Sequence, residues 1–295
     1  MPDLRSVPPL REPVLVAAFE GWNDAGEAAS AAVAHLLQVW DARRVAELDP
    51  EDYYDFQVNR PTVSVVDGER RVTWPTTRIF VCRDSAGPHD VVIVEGIEPS
   101  IRWRHYAAEL IDVAQQLGVR IIITLGAYLA DVPHTRAIPI NASSDDESVQ
   151  DRFGAEPSEY EGPTGIVGIL TALARTAGIE TLSCWAAVPH YAGGPPSPKA
   201  ALALLARLEE ILDVSIPARA IADEAKAWER GVDEMAESDE EVADYVQSLE
   251  EATDTAELPE ASGDAIARAG IDTSSTSSRR PSRANAALGE GGPPA

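Results

Sequence analysis

The feature that most constrains the fold is a series of short apolar runs with no alternation between apolar and polar residues. Such runs are typical of strands that are covered on both faces of a sheet. We predict five of them, at residues 14–19, 78–82, 90–94, 119–124 and 182–188. Segments with apolar residues at helical spacing follow most of these runs, at 25–40, 103–117, 164–177 and 198–213. This order predicts an α/β fold with a mostly parallel central sheet, helices on both faces and further helices towards the C-terminus.

A β-hairpin is predicted between the first helix and the second apolar run. Residues 62–66 and 70–74 are rich in β-branched residues and flank Asp67 and Gly68. An Asp-Gly pair supplies the positive φ angles that a type I′ turn needs, and this turn matches the twist of the two strands.

The turn between the first strand and the first helix can be interpreted in two ways. Gly21 and Gly26 bracket it, and Asn23 or Asp24 is placed to cap the helix. Backbone N–H groups at such a helix start can also cradle an anion. Because Asp24 would repel a phosphate and no P-loop lysine follows, we favour a structural cap.

Composition and charge exclude several classes of protein. The 295-residue chain has 24 Lys and Arg residues against 49 Asp and Glu residues, a net charge of −25. This balance argues against a nucleic-acid partner, since phosphate contacts need clustered cations. The chain shows no secretion signal and no apolar run long enough to span a bilayer, so we expect a cytoplasmic protein with no membrane partner. Cys82 and Cys184 are expected to be reduced core thiols, not a disulfide or metal ligands.

Charge is concentrated near the C-terminus. Residues 217–260 contain fifteen acidic and three basic residues, a net charge of −12. Residues 261–295 are rich in Ser, Ala, Gly and Pro, and a segment of this composition cannot bury enough apolar surface to offset the entropy of ordering. We therefore predict a core domain at 1–216, an acidic helical extension at 217–260 and a disordered tail at 261–295.

The acidic extension has one apolar stripe that we expect to pack on the core, formed by Ile221, Ala225, Trp228 and Val232. Its acidic residues should then face solvent, among them Asp223, Glu224, Asp233, Glu234 and Glu237. A solvated face is one interpretation of this charge, and a surface that steers a basic protein partner is the other. For the second interpretation we select Asp239, Glu240, Glu241 and Asp244 as partner-binding residues.

Residues after the strand ends are candidates for catalysis, because ligands of open α/β sheets bind outside the carboxyl ends of the strands. If the chain is an enzyme, the candidates are Asp24, Glu95, His134, Arg136 and His190. A histidine beside Glu95 or Asp131 would make a general base with an orienting carboxylate. The sequence contains no nucleophile elbow, no metal-ligand spacing and no phosphate loop, which favours structural roles and predicts no cofactor and no metal. Arg102, Arg104 and Arg136 are clustered cations near the strand ends, and we favour a structural role that offsets the charges of Glu95 and Glu98 over the alternative of an anion site.

The same strand-end segments resemble a known family. Ordered motifs at 19–26 (FEGWNDAG), 54–56 (YDF), 59–61 (NRP), 125–128 (LGAY) and 162–165 (GPTG) are similar to those of the proteasome assembly chaperone 2 family, in particular its actinobacterial members. The resemblance covers residues 13–214. It implies a phosphorylase/hydrolase-like fold without an established catalytic site. Eukaryotic relatives chaperone the assembly of proteasome α-rings, and archaeal relatives bind proteasome core particles.

Two hypotheses of different classes remain open. The first is a non-enzymatic, proteasome-assembly-chaperone-like protein that binds other proteins, with proteasome α-subunits as candidate partners. The alternative is a nucleoside- or small-metabolite-processing enzyme that uses a strand-end pocket of the phosphorylase-like fold. Convergence of the candidate side chains in one concave pocket would favour the enzyme. We also expect a homo-oligomer, either a dimer or a trimer.

Overall fold

The computed structural model describes Leu4 and residues 6–83, 87–194 and 196–256. The chain divides into two units, Met1–Glu250 and Glu251–Ala295. Only residues 251–256 of the second unit are described, as the last turns of a helix. The predicted disordered tail at 261–295 lies outside the described residues.

A seven-stranded sheet with the order β2-β5-β6-β1-β7-β9-β8 forms the centre of the first unit. Strands β6, β1, β7 and β9 pair in parallel, and β5, β2 and β8 add to the two edges in antiparallel fashion. The strands of this sheet are β1 (Val14–Glu20), β2 (Ala42–Glu47), β5 (Arg78–Cys82), β6 (Val91–Ile97), β7 (Ile121–Ala130), β8 (Ile140–Ser143) and β9 (Glu180–Pro189). The predicted α/β class with a mostly parallel sheet is confirmed.

The described helices are α1 (Ala28–Val39), α2 (Pro50–Tyr53), α3 (Trp103–Gln116), α4 (Glu147–Phe153), α5 (Ile166–Thr176), α6 (Pro198–Leu212), α7 (Arg219–Glu237) and α8 (Glu240–Ala256). Helices α1 and α6 pack together on one face of the sheet, and α3 and α5 pack together on the other. The C-terminal helices α7 and α8 were also predicted. In the described part of the chain, no helix has the length and apolar character that a membrane span requires.

The central strand shows why both faces need helices. Val14, Val16 and Ala18 of β1 point into the core below α1 and α6, whereas Leu15 and Phe19 point into the core below α3 and α5. All five side chains are buried. Because side chains alternate along a strand, a strand that is apolar on both faces must be covered on both.

Cys82 and Cys184 are free and buried, as predicted. Burial raises the pKa of each thiol to about 12. Since the thiolate is the reactive form, both residues are inert core side chains at neutral pH.

A separate two-stranded sheet is formed by β3 (Thr62–Val66) and β4 (Glu69–Thr73). Asp67 and Gly68 both have positive φ, so the predicted hairpin turn is confirmed. The strands β2 and β8 and the short helices α2 and α4 escaped prediction, because their polar residues give them no periodic apolar signal.

Helix α7 begins on the core, where Ile221 joins the cluster below α1 and α6. Ile221, Ala225 and Val232 are buried, and Trp228 is half-buried, as the predicted stripe requires. The expectation that Asp233 faces only solvent is wrong, since its carboxylate bonds a buried histidine. The domain boundary predicted at 216/217 stays a prediction.

Candidate functional site

A wide cleft opens at the carboxyl edge of the parallel strands, where ligands of such sheets bind. Its volume is about 1510 Å³. The turn after β1, the end of β7, strand β8 and the loop that precedes α5 form its walls. We call it the strand-end cleft.

Four exposed apolar or aromatic side chains surround this opening, namely Trp22, Tyr128, Leu129 and Tyr160. We call them the cleft rim. The Trp22 side chain is 66% exposed, which is unusual for a tryptophan. Two of the rings are held in place, since Asn141 Nδ2 donates to the Tyr128 hydroxyl at 2.5 Å and the Tyr160 hydroxyl donates to the Pro163 carbonyl at 2.7 Å. The rim is therefore a preformed apolar surface.

Behind the rim, Asn23 is 1% exposed and links three elements. Its Nδ2 donates to Glu98 Oε1 at 2.8 Å, and its backbone carbonyl accepts from the backbone N–H of Ala127. Glu98 Oε1 also accepts from the N–H of Ile166 at 2.8 Å, so this carboxylate caps α5 and interacts favourably with the helix dipole. Asn23 Oδ1 has no partner among the described residues and lies against Gly165, where a Cβ would come within 2.1 Å of it.

Asp24 caps helix α1, as one of the two sequence interpretations proposed. Its Oδ1 accepts from the backbone N–H of Ala29 at 2.7 Å, and its Oδ2 accepts from the Ser30 hydroxyl at 2.5 Å. Burial raises the pKa of this carboxyl, although the bonds from Ser30 and Ala29 act in the opposite direction. The carboxylate occupies the helix start that an anion would need.

A small acidic cavity of about 250 Å³ lies on the other side of β1 and contains Glu20, Glu27 and Glu95. The pKa of Glu20 is raised by burial and by the neighbouring charges of Asp24, Glu27 and Glu95. Arg78 pairs with Glu95 at 3.6 Å. Glu95 is thus separated from both candidate histidines, which lie with other carboxylates.

His134 is buried in a group that joins the core to helix α7, and its side chain is 1% exposed. Its Nδ1 bonds the hydroxyl of Tyr191 at 2.8 Å, and its Nε2 bonds Asp233 Oδ1 at 2.9 Å. Lys199 donates to the His134 carbonyl and pairs with Glu229 of α7 at 3.2 Å. Both ring nitrogens of His134 are therefore engaged in contacts within the chain.

His190 lies beside this group but nearer the surface, with its side chain 48% exposed. Its Nδ1 is 3.1 Å from Asp131 Oδ1, and its ring packs edge-on against Tyr191 and Tyr245. Tyr245 of α8 donates to Asp131 at 2.9 Å. We call His134, His190, Tyr191, Asp233 and Tyr245 the histidine cluster.

The arginine expectations need correction. Arg136 pairs with Glu250 of α8 at 3.2 Å, and Arg102 pairs with Asp52. Glu95 is instead paired with Arg78, and Glu98 Oε1 accepts from the backbone N–H of Ile166 at the start of α5. His35 of α1 is buried and bonds the carbonyl of Pro217 at 2.8 Å.

The selected acidic residues Asp239, Glu240, Glu241 and Asp244 are all exposed, and we call them the acidic face. Asp239 has a second role, since its Oδ1 accepts from the N–H of Glu241 at 3.0 Å and so caps α8. Among the described residues, no group of three or more His, Cys, Asp or Glu side chains is arranged to hold a metal ion.

Sequence reasoning missed the cleft rim and the tyrosines of the histidine cluster. In the sequence, Trp22 and Tyr128 lie in segments at predicted strand ends, where glycines and carboxylates are the residue types that indicate a ligand site. A useful signal was available, because a large aromatic residue in a glycine-bounded turn has few core neighbours to cover it.

The sequence of the chain matches one protein family over most of its length. The model of the PAC2 family covers residues 18–236. The chain belongs to the PAC2 family. The matched region contains the turn of Trp22 and Asp24, the histidines and all of α7 up to its penultimate residue.

Solved PAC2 structures are similar over the same extent. A PAC2 family protein from Streptomyces avermitilis is 54% identical, with a TM-score of 0.75, and the match covers 79% of this chain and 99% of that one. A Mycobacterium tuberculosis protein described as a proteasome-assembly chaperone homologue is 48% identical, with a TM-score of 0.72 and the same coverage of both chains. The resemblance to actinobacterial members is therefore confirmed.

A more distant structure shares the fold. PbaB of Pyrococcus furiosus, described as an archaeal proteasome activator, is 20% identical, with a TM-score of 0.64, and the match covers 80% of this chain and 98% of that one. At this level of identity the likeness concerns the fold alone. No curated protein matches the sequence significantly.

Proposed function

We propose that this PAC2 protein is a non-enzymatic, proteasome-assembly-chaperone-like protein of the cytoplasm that binds other proteins, with proteasome α-subunits among its partners. The observation that carries the proposal is the cleft rim, in which Trp22, Tyr128, Leu129 and Tyr160 are exposed around one opening. The choice of partner follows from the family and from the 48% identity to a proteasome-assembly chaperone homologue.

The size and lining of the cleft favour a protein segment over a small ligand. Pockets for small molecules measure about 300–1,000 Å³ and enclose most of the ligand. At about 1510 Å³, the strand-end cleft is larger than that range. Trp and Tyr are enriched at the centres of protein interfaces, where a few such residues supply most of the binding free energy. A partner that covers the rim would bury apolar surface that is now in water.

The positions of the candidate catalytic residues also support a binding role. Asp24 caps α1, Glu95 pairs with Arg78, and Arg136 pairs with Glu250. His134 is buried with both ring nitrogens bonded. His190 is the exposed member of the five, but the carboxylate and tyrosines around it also hold α8. These contacts stabilise the fold, and none of the five side chains lines the strand-end cleft.

The acidic face would increase the rate of association with a basic partner. Its four carboxylates fall within six residues at the exposed start of α8. Charges at the rim of an interface act mainly on the association rate, and salt screens them over a Debye length of about 8 Å at physiological ionic strength. A partner with a basic surface would therefore bind more slowly when the charge is removed or the salt is raised.

The test is a kinetic binding measurement with purified proteasome α-subunits at low and moderate ionic strength. The variant Asp239→Asn/Glu240→Gln/Glu241→Gln/Asp244→Asn removes four charges, and Asn at position 239 retains an oxygen that can cap α8. A control, Asp223→Asn/Glu224→Gln, removes two charges from exposed positions at the other end of α7.

We expect wild type to bind, the four-site variant to associate several-fold more slowly, and the control to resemble wild type. No binding by wild type at either ionic strength would reject α-subunits as partners. Equal association rates for all three proteins would reject the role of the acidic face in association, but not the binding of α-subunits. Turnover of a nucleoside or small metabolite that His190→Ala abolishes would reject the binding-only function and favour the enzyme alternative.

A further inference from the structure

The charged residues of the strand-end cleft are not all balanced within the chain. Those that line it are Asp145, Glu156, Glu159 and Arg207. Asp145 Oδ2 is 3.0 Å from Arg175 Nη1, and Arg207 Nη1 is 2.6 Å from Glu210 Oε2. In the part of the chain that the structure describes, neither Glu156 nor Glu159 forms an ion pair. The cleft therefore has two carboxylates without a counter-charge.

Both of these carboxylates belong to the segment that follows α4 and borders β8. The N–H of Glu156 donates to the Ala142 carbonyl at 3.0 Å, and its carbonyl accepts from the N–H of Ser144 at 2.9 Å. These backbone bonds fix the position of Glu156 at the wall of the cleft. Glu159 precedes Tyr160 of the cleft rim in the sequence, and the side chains of both glutamates are exposed.

Aromatic rings line the same cleft. Trp22, Tyr128 and Tyr160 belong to the rim, and Trp185 of β9 adds a fourth ring. A Cβ at Gly126 would come within 2.5 Å of the Trp185 ring, so the lack of a side chain there lets this ring lie directly on β7. The face of an aromatic ring attracts a cation.

A partner segment that covers the cleft displaces water from the two carboxylates. Burial of an unpaired charge costs free energy, so a segment that binds well must bring a cation to offset it. Asn23 also lines the cleft, and its Oδ1 has no hydrogen-bond partner among the described residues. Carboxylate and amide oxygens only accept hydrogen bonds, whereas a cationic side chain only donates them.

Arginine fits this combination better than lysine. Its guanidinium is planar and weakly hydrated, so one face can stack on an aromatic ring while the N–H groups at its edge bond carboxylates. A lysine ammonium is a compact and strongly hydrated charge, which gains less from a ring.

We propose that the strand-end cleft recognises an arginine side chain on an extended segment of the partner protein. The guanidinium bonds the carboxylates of Glu156 and Glu159 and stacks on an aromatic ring of the cleft, and apolar residues beside the arginine cover the rim. This inference rests on the proposed function, because it requires that a protein segment occupies the cleft.

The test measures the binding of two capped peptides to the full chain by calorimetry at one ionic strength. One peptide is Ala-Leu-Arg-Leu-Ala, and the other has citrulline in place of arginine, which keeps the shape of the side chain and removes its charge. The variant Glu156→Gln/Glu159→Gln removes both unbalanced charges. Its matched control is Glu147→Gln/Glu161→Gln, which makes the same change at two exposed residues that do not line the cleft. Thermal melting establishes that each variant is folded.

We expect wild type and the control to bind the arginine peptide about tenfold more tightly than the citrulline peptide. The Glu156→Gln/Glu159→Gln protein should bind the two peptides with nearly equal affinity. The inference is overturned if wild type does not bind the arginine peptide or does not prefer it. It is also overturned if the cleft variant keeps the full preference, or if the control loses as much as the cleft variant.

The same proteins, measured with purified proteasome α-subunits, separate this inference from the proposed function. If α-subunits bind but the arginine peptide is not preferred, the inference is rejected and the proposed function is retained. If the arginine peptide is preferred but α-subunits do not bind, α-subunits are rejected as partners, whereas the recognition of arginine by the cleft is supported.

Discussion

The strand-end cleft and the histidine cluster lie at the same edge of the sheet, yet the side chains of one are exposed and those of the other are bonded within the chain. The cluster contains histidines, carboxylates and tyrosines, the residue types of an active site, but these side chains bond one another and the helices α7 and α8. The cleft is lined by backbone, apolar side chains and a few charged ones, namely Asp145, Glu156, Glu159 and Arg207, and its rim leaves a tryptophan and two tyrosines exposed.

This difference shows that residue type is a poor guide to function when the partners of each residue are unknown. A buried polar group must be bonded, so a histidine enclosed by partners contributes mainly to stability. An exposed aromatic side chain adds little to stability, and its exposure is best explained by a surface that is covered part of the time. The two regions should therefore respond differently to substitution.

The largest effect on stability is expected at His134. His134→Ala removes two side-chain hydrogen bonds and leaves a cavity among Tyr191, Asp233 and Trp228, at a cost of about 2–4 kcal/mol in the free energy of unfolding. The matched change His190→Ala removes a partly exposed contact with Asp131 and should cost less than about 1 kcal/mol. Denaturant unfolding measures both. Equal losses, or a stable His134→Ala protein, would contradict the structural role of the cluster.

A smaller loss is expected at Asp24, which caps α1 at the back of the cleft. Asp24→Ala should cost about 1 kcal/mol, and Asp24→Asn should cost less because its amide oxygen still accepts from the helix start. Chemical denaturation gives the free energies, and calorimetry with phosphate or a nucleotide tests for an anion site. An Asp24→Ala protein of unchanged stability that has lost anion binding would restore the alternative that the sequence left open.

The smallest expected effect is a gain in thermal stability when Glu20 is replaced by glutamine. Burial and the neighbouring charges of Asp24, Glu27 and Glu95 raise the pKa of Glu20 from its ordinary value of 4.5. A raised carboxyl pKa means that stability is lost as the pH rises through the folded-state pKa. Glu20→Gln should therefore raise the Tm by about 1 °C at pH 7, and the gain should vanish as the pH falls to 4.5. A lower Tm of Glu20→Gln at pH 7, or a gain in Tm that persists in acid, would contradict the inference that charge repulsion in the acidic cavity destabilises the folded protein at neutral pH.

Much of the fold could be predicted from the sequence, because its signals are local and strong. The unalternating run at residues 14–19 predicts a strand covered on both faces, and the Asp67-Gly68 pair predicts the hairpin turn. Strands such as β2 and β8 lie at the sheet edges, and their residues are too polar to stand out in a scan for apolar runs.

The candidate site was less predictable, because its properties depend on contacts between distant segments. Asp233 meets His134 across 99 residues, and Glu98 reaches the start of α5 across 68. Position in the sequence placed the candidate residues near strand ends, but it did not distinguish a histidine enclosed by partners from a tryptophan left in water. That distinction requires the packing of the whole unit.

The most direct test of the central claim compares two exposed tryptophans, Trp22 at the cleft rim and Trp74 on the hairpin. The affinity of each alanine variant for proteasome α-subunits is measured by calorimetry, together with its Tm. Trp22→Ala should raise the Kd at least about tenfold with little change in Tm, as expected for an interface hot spot. Trp74→Ala should leave this Kd unchanged. An unchanged Kd for Trp22→Ala, or a larger effect of Trp74→Ala, would contradict the account of the cleft as the partner-binding surface.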